Sequence, residues 1–469
     1  MSTGLTAAEH ALFKAYDVRG PAPMPLSPSL AFRIGKAFVT YLGGGRIGVA
    51  RDMRATSPAL AAAFAAGLRS GGGEVVHFGM LATDAMWFAV RAHALAGGGM
   101  VTASHNPPGD NGIKLVERDA APVFQENGLP AVRDAAAAIP PPEVAHETRE
   151  RRRSLPGEGV LDISEPYRAF LHEAAPPSSL PSLRIVLDAG NGMGGVMAAR
   201  VLGGFPGTFI PLFFEPDGRF PNHGGNPLQP ENRRQLVRRV LAERADFGVL
   251  WDGDADRCAF VDDSGTFIPG DFTTAILAPQ EIRAEPGAAV VFDLRSSRAT
   301  PEAILRAGGR PCPNRVGHAY MKRRMRREDA RFGGELSGHF YFRAAGYADN
   351  ALLPILRLVQ CIGAADRPLS EIAGNLRRRY FVLEELSLSA APAGKALAAV
   401  RAAFPGGAAT GLDGLTMDFP DWRFTLRPSH TEPVLRLTVE GFEAGRAEAG
   451  QQAVREVLRL FEAPASSPG

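Results

Sequence analysis

Thr102-Ala103-Ser104-His105-Asn106-Pro107-Pro108 follows the apolar run Gly99-Met100-Val101, which reads as the end of a short buried strand. Asn-Pro-Pro then forces the chain out of regular structure, because proline fixes φ and restricts the residue before it. A serine is thereby held on a tight loop at a strand end, with His105 beside it and Lys114 shortly beyond. Ser, Asn and Pro alone are ordinary turn residues. The companion that changes the reading is Asp252-Gly253-Asp254-Ala255-Asp256. Carboxylates two apart can converge on one hard cation if the backbone curls, and Gly253 and Ala255 permit that. Three anionic oxygens suit Mg²⁺, which keeps its other positions for water or phosphate. The triplet also resembles the start of a calcium loop, but Asp263 stands where a Glu would close it and no helix precedes it. Ser104 is therefore expected to carry a phosphoryl group, and Asp252, Asp254 and Asp256 to hold the metal that makes it transferable.

Outward from the serine, strands alternate with amphipathic helices. An extended segment over 12–19, a helix over 29–41, a strand over 46–50, a helix over 58–68 and a strand over 74–78 precede the loop, a mixed α/β pattern. A stretch rich in Ala, Pro, Glu and Arg over 134–158 marks the first boundary. A second unit opens with the strand 183–188 and closes with the strand 246–251, which delivers the aspartates. The hairpin signal Asp262-Asp263-Ser264-Gly265 follows it. A third unit repeats the scheme and ends in Gly333-Gly334-Glu335-Leu336-Ser337-Gly338-His339. Element order suggests three copies of one plan. From about 368 the pattern turns to clustered strands with a closing helix over 444–461, a small α+β domain. The expected domains are 1–150, 151–266, 267–367 and 368–469.

At 469 residues the chain is too long for one core. Its 52 Lys+Arg against 50 Asp+Glu leave a net charge of +2, so no global field recruits nucleic acid or membrane. The basic class is nearly all arginine, the lysines being Lys14, Lys36, Lys114, Lys322 and Lys395. A lysine in such a chain is notable, since its pKa can be tuned while arginine stays charged. Three cysteines make neither a disulfide framework nor a zinc cluster, and the N-terminal residues have no signal-peptide pattern. A cytoplasmic location is expected, as a monomer or weak homo-oligomer. The basic run 322–327 reads as a solvated helix face with one charge turned toward the cleft.

Two further loops carry chemistry. Arg427-Pro428-Ser429-His430-Thr431 has the composition of a phosphate clamp: a planar fork, hydroxyls and a stiffening proline. Glu335 and Ser337, flanked by glycines, can accept from and donate to sugar hydroxyls, with His339 a proton relay nearby. A rival reading starts from Gly190-Asn191-Gly192-Met193-Gly194-Gly195, which fits G-x-G-x-x-G after a strand, with Glu215 about twenty residues on. That is the fingerprint of an NAD- or flavin-dependent oxidoreductase. It gives the serine, aspartate and clamp loops no task, and a Gly-rich strand-to-helix turn is preferred.

With these motifs in order along the chain, together with Lys14-Ala15-Tyr16-Asp17-Val18-Arg19-Gly20 and Asn111-Gly112-Ile113-Lys114, the sequence resembles the α-D-phosphohexomutases, in their phosphomannomutase/phosphoglucomutase branch. The resemblance implies three similar mixed α/β domains plus a C-terminal α+β domain around a central active-site cleft. The implied activity interconverts hexose 6-phosphates and hexose 1-phosphates through a phosphoserine. Hexose 1,6-bisphosphate would be the intermediate and activator, and mannose and glucose the sugars. Ser104 would be the phosphoserine and, with Asp252, Asp254 and Asp256, the Mg²⁺ site; Lys114 the general acid/base; Arg257, Arg19, Tyr16 and His105 the lining of the reaction centre; His339 a second proton-transfer group. Glu335 and Ser337 would read sugar hydroxyls, and Arg427, Ser429 and Thr431 would clamp the distal phosphate. His318, in Val316-Gly317-His318, matches another ligand-contacting segment.

Departures from the family pattern are His430 where Asn is usual, Leu336 for Met, Ala255 for Gly, and Arg295 where relatives often place a substrate-contacting Lys. Phosphoglucosamine mutase is the alternative within the family, although the Gly-Thr-Asp-Gly segment and sugar-loop Gln of that group do not occur here. A catalytically silent sugar-phosphate binder is disfavoured by intact Ser104, Lys114 and aspartates.

Overall fold

A computed structural model describes residues 4–142, 159–389, 392–429 and 434–461. The first sheet contains β1 (Val18–Pro21), β2 (Arg46–Arg51), β3 (Glu74–Met80), β4 (Gly97–Val101), β5 (Asp110–Glu117) and β6 (Pro122–Val123). Its order is β1-β5-β4-β2-β3, with β6 on β5. The strands β3, β2 and β4 run parallel, and β5 returns antiparallel to β4. Helices cover the faces because their starts and stops are written locally. In Pro28–Leu42, Ser27 accepts from the Leu30 N–H, Pro28 takes the first turn and Gly43 closes the end at φ 75°.

The second sheet has β7 (Arg184–Asp188), β8 (Thr208–Leu212), β9 (Phe247–Trp251), β10 (Cys258–Asp262) and β11 (Phe267–Ile268), in the order β11-β10-β9-β7-β8. The third has β12 (Ala289–Asp293), β13 (Arg310–Asn314), β14 (Phe332–Gly334), β15 (Phe340–Phe342) and β16 (Ala348–Asp349), in the order β13-β12-β14-β15-β16. In the three units β2, β7 and β12 are each flanked in parallel by the next two strands in the chain, and the strand after those turns back antiparallel beside the second of them; the first unit adds β1 at its edge. The three copies expected from element order are therefore one topology. The turn from third to fourth strand comes at the same place each time: 102–109, 252–257 and 335–339. The sequence expected function at all three.

The fourth sheet is antiparallel: β17 (Phe381–Val382), β18 (Leu386–Leu388), β19 (Ala408–Thr410), β20 (Leu415–Asp418), β21 (Trp422–Pro428) and β22 (Leu435–Gly441), closed by the helix Ala444–Leu458. The α+β character expected for this unit holds. One continuous core, with Trp87, Tyr167, Trp251, Phe340 and Leu353, joins the first three units. The fourth has its own, around Trp422, Phe424, Leu437 and Val454. The helix Leu369–Arg377 sends Leu369 and Ala373 into the shared core. The joint to the fourth unit is polar: Ser297 Oγ and Arg298 N donate to Glu440 at 2.7 and 3.0 Å, and Arg298 Nη2 to Asp418 at 3.1 Å.

The basic run 322–327 is not wholly a solvated face. Lys322 is 1% exposed, paired with Asp349 at 2.9 Å and set 5.1 Å from the Trp87 ring. No helix among the described residues is long and apolar enough to cross a membrane.

Candidate active site

The parallel strand β4 ends into a buried turn, and Ser104 takes φ 52° there. Its N–H donates to Thr102 Oγ1 at 2.9 Å. Its hydroxyl donates to Asp252 Oδ2 at 2.7 Å and lies 3.2 Å from His105 Nδ1. The Arg257 charge, then burial, holds the His105 imidazole down to about 2, so it faces the serine neutral.

The turn keeps its shape through Arg54, wholly buried after β2. Nη1 donates to the carbonyls of Pro107 and Asp110 at 2.6 and 2.9 Å, and Nη2 to those of Ser104 and Asn106 at 2.9 and 2.6 Å. Nε reaches Asp52 at 3.2 Å. One guanidinium thus donates to four carbonyls of the loop and ties its two limbs together. Sequence reading did not find Arg54. The available signal was an arginine two residues after an aspartate at a strand end, and such pairs are common.

The 252–257 turn meets the serine turn backbone to backbone. A Cβ on Gly253 would lie 2.4 Å from the Ser104 carbonyl oxygen, so only glycine fits. The Met193 N–H donates to the Gly253 carbonyl at 3.0 Å. Thr83 gives its N–H to the Asp254 carbonyl (2.9 Å) and its hydroxyl to Asp254 Oδ2 (2.6 Å). Lys114 on β5 places Nζ 2.7 Å from Asp254 Oδ2 and 2.6 Å from Asp256 Oδ2. Burial opposes the ammonium, but these carboxylates outweigh it and raise its pKa.

Asp252, Asp254 and Asp256 are buried, with carboxylate oxygens within 4.8 Å of one another. Burial, then the charges of Asp256 and Asp254, push Asp252 well above the usual range. Asp254 Oδ1 and Asp256 Oδ1 are buried with no hydrogen-bond partner. Orphaned anionic oxygens converging beside a serine hydroxyl fit a hard divalent cation. Arg257 stands over them, Nε 3.7 Å from both Asp252 Oδ2 and Asp256 Oδ1, and donates to His339 Nε2 at 3.2 Å.

From His339 the site continues into the third unit. Nδ1 lies 2.8 Å from Ser337 Oγ and 3.3 Å from Glu335 Oε2. Glu335 accepts from the Gly317 N–H at 3.1 Å and the Tyr341 hydroxyl at 2.5 Å. Burial works against its charge, but His339 and Tyr341 hold it down to about 2, so it is an ionised acceptor with lone pairs to spare. Tyr16 donates to the Val316 carbonyl at 3.2 Å, its ring edge-on to His318 at 5.1 Å. His318 Nδ1 is buried without a partner, and burial, then Lys322, keeps the ring neutral. Arg19 reaches Asn106 at 3.3 Å and pairs with Asp17.

Arg295 turns back on its own strand, with Nε and Nη2 at 3.1 and 2.8 Å from Asp293, which also accepts from the Leu336 N–H at 2.9 Å. The positive charge that replaces the family lysine is thus spent on a neighbour. Arg427, on β21, lies 3.6 Å from Glu385 and leaves Nε buried without a partner; burial, then Arg295, lowers its pKa. The Ser429 N–H closes the hairpin on the Val434 carbonyl at 2.8 Å. His430 and Thr431 lie outside the described residues.

The dinucleotide fingerprint is answered here. The Met193 N–H at the start of the helix Met193–Val201 is taken by Gly253, a Cβ on Gly192 would lie 2.6 Å from that carbonyl, and Gly194 faces the Trp251 ring. The aspartate turn fills the place a pyrophosphate would need.

Four family profiles match in order: "Phosphoglucomutase/phosphomannomutase, alpha/beta/alpha domain I" over residues 10–140, domain II over 165–265, domain III over 269–380, and the C-terminal domain over 385–457. A "Phosphohexose mutases" protein of Xanthomonas campestris pv. campestris is 39% identical over 451 residues, covering 95% of this chain and 99% of its own. A phosphomannomutase of Salmonella montevideo is 37% identical, covering 96% and 98%. A crystal structure of a phosphoglucomutase/phosphomannomutase family protein from Burkholderia thailandensis superposes with a TM-score of 0.84 at 30% identity, covering 96% and 97%.

Proposed function

The chain belongs to the phosphoglucomutase/phosphomannomutase family, and from that premise we propose that Ser104 carries the phosphoryl group by which it interconverts hexose 6-phosphates and hexose 1-phosphates. The observation that carries this reading is the Ser104 hydroxyl on Asp252, 2.7 Å away, inside the aspartate cluster. Asp252, Asp254 and Asp256, with the Ser104 phosphate, would hold Mg²⁺, whose charge neutralises phosphoryl oxygens. Arg257 and Arg19 present guanidinium groups beside that position and suit the charge of the group in flight. In the first transfer the Ser104 Oγ–P bond breaks, a P–O bond to a sugar hydroxyl forms, and that hydroxyl's proton passes to Ser104 Oγ. In the second, after the bisphosphate has turned, the P–O bond at the other end of the sugar breaks, the Ser104 Oγ–P bond re-forms, and the serine proton passes to the freed sugar oxygen. Lys114 and His339 are the proton-exchanging groups beside the path.

Glu335 and Ser337 grip sugar hydroxyls, while Arg427, Ser429, His430 and Thr431 hold the other phosphate, and Tyr16, His318 and Arg295 are further substrate contacts. The bisphosphate must turn round between two transfers, so hexose 1,6-bisphosphate serves as both intermediate and activator. Recognition through the 3- and 4-hydroxyls ignores C2, which makes mannose and glucose both substrates.

The test measures turnover of mannose 1-phosphate, glucose 1-phosphate and glucosamine 1-phosphate with Mg²⁺ and glucose 1,6-bisphosphate. Ser104→Ala should lose about a thousandfold or more in kcat. Full turnover by that variant overturns the phosphoserine. Glucosamine 1-phosphate outpacing the other two sugars transfers the chain to the phosphoglucosamine branch.

A further inference from the structure

The second unit reaches the serine turn twice, once through the aspartates and once through a segment that no catalytic role has absorbed. Residues 217–226 leave the second sheet and lie across the first unit. A Cβ on Gly218 would sit 2.6 Å from Arg54 Cα, so the two backbones touch. The Phe220 ring faces the Arg54 guanidinium at 5.4 Å and lies 3.1 Å from where a Cβ on Gly253 would be. A Cβ on Gly225 would be 3.4 Å from His105 Cα. The segment therefore bears on Arg54, which fixes four carbonyls of the serine turn, and on the residue beside Ser104.

Asn191 and Asn232 bond the segment at Asp217, Asn222, Gly224 and Asn226, and His223 adds a charged tie to the second sheet. Nδ1 is 2.9 Å from the Gly224 carbonyl, and Nε2 is 3.1 and 3.2 Å from the two oxygens of Asp188, at the end of β7. Both ring nitrogens face oxygen acceptors, so one N–H must serve Gly224 and a second proton must lie between Nε2 and Asp188. Losing that second proton sets a lone pair against an oxygen at one end of the ring. The His223 side chain is 5% exposed and Asp188 fully buried, so water does not easily replace the lost bond. The groups facing the ring are Asp188, Gly190, Gly224 and the Phe213 ring, edge-on at 5.7 Å; Asp188 is the only charge among them.

We propose that His223, bonded through both ring nitrogens to Asp188 and Gly224, is a positioning residue that sets the serine turn for phosphoryl transfer. This rests on the phosphoserine reading above. Burial opposes the ring's charge, but the bond to Asp188 outweighs it and raises the His223 pKa. A raised histidine pKa gives a contribution present below the ordinary imidazole range and lost as pH climbs through the folded value. The brace therefore loosens on the alkaline side.

The experiment records kcat and KM for mannose 1-phosphate from neutral to alkaline pH, with phosphoserine content read by intact mass, for His223→Ala, His223→Gln, Asp188→Asn and Ser104→Ala. His223→Ala should lower kcat about ten- to a hundredfold at unchanged KM, because the sugar contacts lie on other loops. Asp188→Asn removes the anion that favours the ring proton and should move the alkaline fall of kcat to lower pH. His223→Gln keeps a donor toward Asp188 and should regain part of kcat without that fall. If His223→Ala does not fold, the other two variants carry the test. Wild-type kcat and pH profile in the His223 and Asp188 variants, beside an inactive Ser104→Ala, overturn the brace and leave the phosphoserine standing. An active Ser104→Ala overturns the phosphoserine itself.

Discussion

At the serine end of the cleft the charged groups are paired with one another, apart from the Asp254 and Asp256 oxygens turned into the cluster, while at the clamp end the arginine is left partly unmet. Ser104 rests on Asp252, Lys114 sits between Asp254 and Asp256, Arg257 bonds His339, and the backbone beneath is tied by Arg54, Thr83 and Met193. At the other end Arg427 keeps a buried Nε without a partner and approaches Glu385 only to 3.6 Å. The difference follows from the chemistry each end performs. Charge develops at the serine, and donors fixed beforehand cost no reorganisation during the reaction. On the proposed function the clamp takes a phosphate, releases it and takes the other end of the same sugar. Donors already satisfied by protein would have to be freed at every turnover.

Arg54→Met attacks the pre-tied end and should have the largest effect. It removes the Arg54 donor from four loop carbonyls and leaves the buried Asp52 carboxylate without its guanidinium, a change of about 3–5 kcal/mol in unfolding free energy. Denaturant unfolding measures it, and kcat should fall with it because the Ser104 carbonyl loses its anchor. A loss below about 1 kcal/mol would mean the serine turn is held by its contacts with the aspartate turn alone.

Arg427→Met attacks the unmet end and should divide the two properties. A charge-assisted bond to phosphate is worth about 1.5–3 kcal/mol, so KM for mannose 1-phosphate should rise about ten- to a hundredfold. The melting temperature should hold or rise slightly, since burial and Arg295 already work against this charge. A melting temperature that fell as far as with Arg54→Met would erase the contrast between the ends.

What the sequence made legible was chemistry written in neighbours. The serine turn, the alternating aspartates and the glycine-flanked Glu335 are local patterns, and the sheet topology delivers all three from equivalent turns. The repeat itself was legible because helix and strand alternation is a short-range signal. The bracing was not. Arg54 works on carbonyls 50 to 56 positions away, and Asp188 meets His223 across 35 positions. A single arginine or histidine carries no mark of such a partner. The run 322–327 was legible as a solvated face with one charge turned inward, but six basic or sulfur-bearing residues in a row do not mark Lys322 as the one that meets Asp349. Arg295 kept the charge of the family lysine, but only the fold shows that Asp293 claims it.

The smallest effect is expected inside the aspartate turn, at the alanine where relatives have glycine. Ala255 adopts φ 56° and is 3% exposed. Left-handed backbone costs a residue with a Cβ about 1–2 kcal/mol, which Ala255→Gly would recover. Against that, removing a buried methyl forfeits about 0.8 kcal/mol, and the freer unfolded glycine costs about 0.4–1 kcal/mol more. These contributions nearly cancel, so the variant should unfold within about 1 kcal/mol of wild type. Its Mg²⁺ requirement should stay the same if the turn is shaped by the bonds from Thr83 and Met193, neither of which involves residue 255. A weaker Mg²⁺ response at unchanged stability would show instead that the Ala255 backbone itself holds the carboxylates in register, and the serine end would then owe part of its order to strain as well as to bonding.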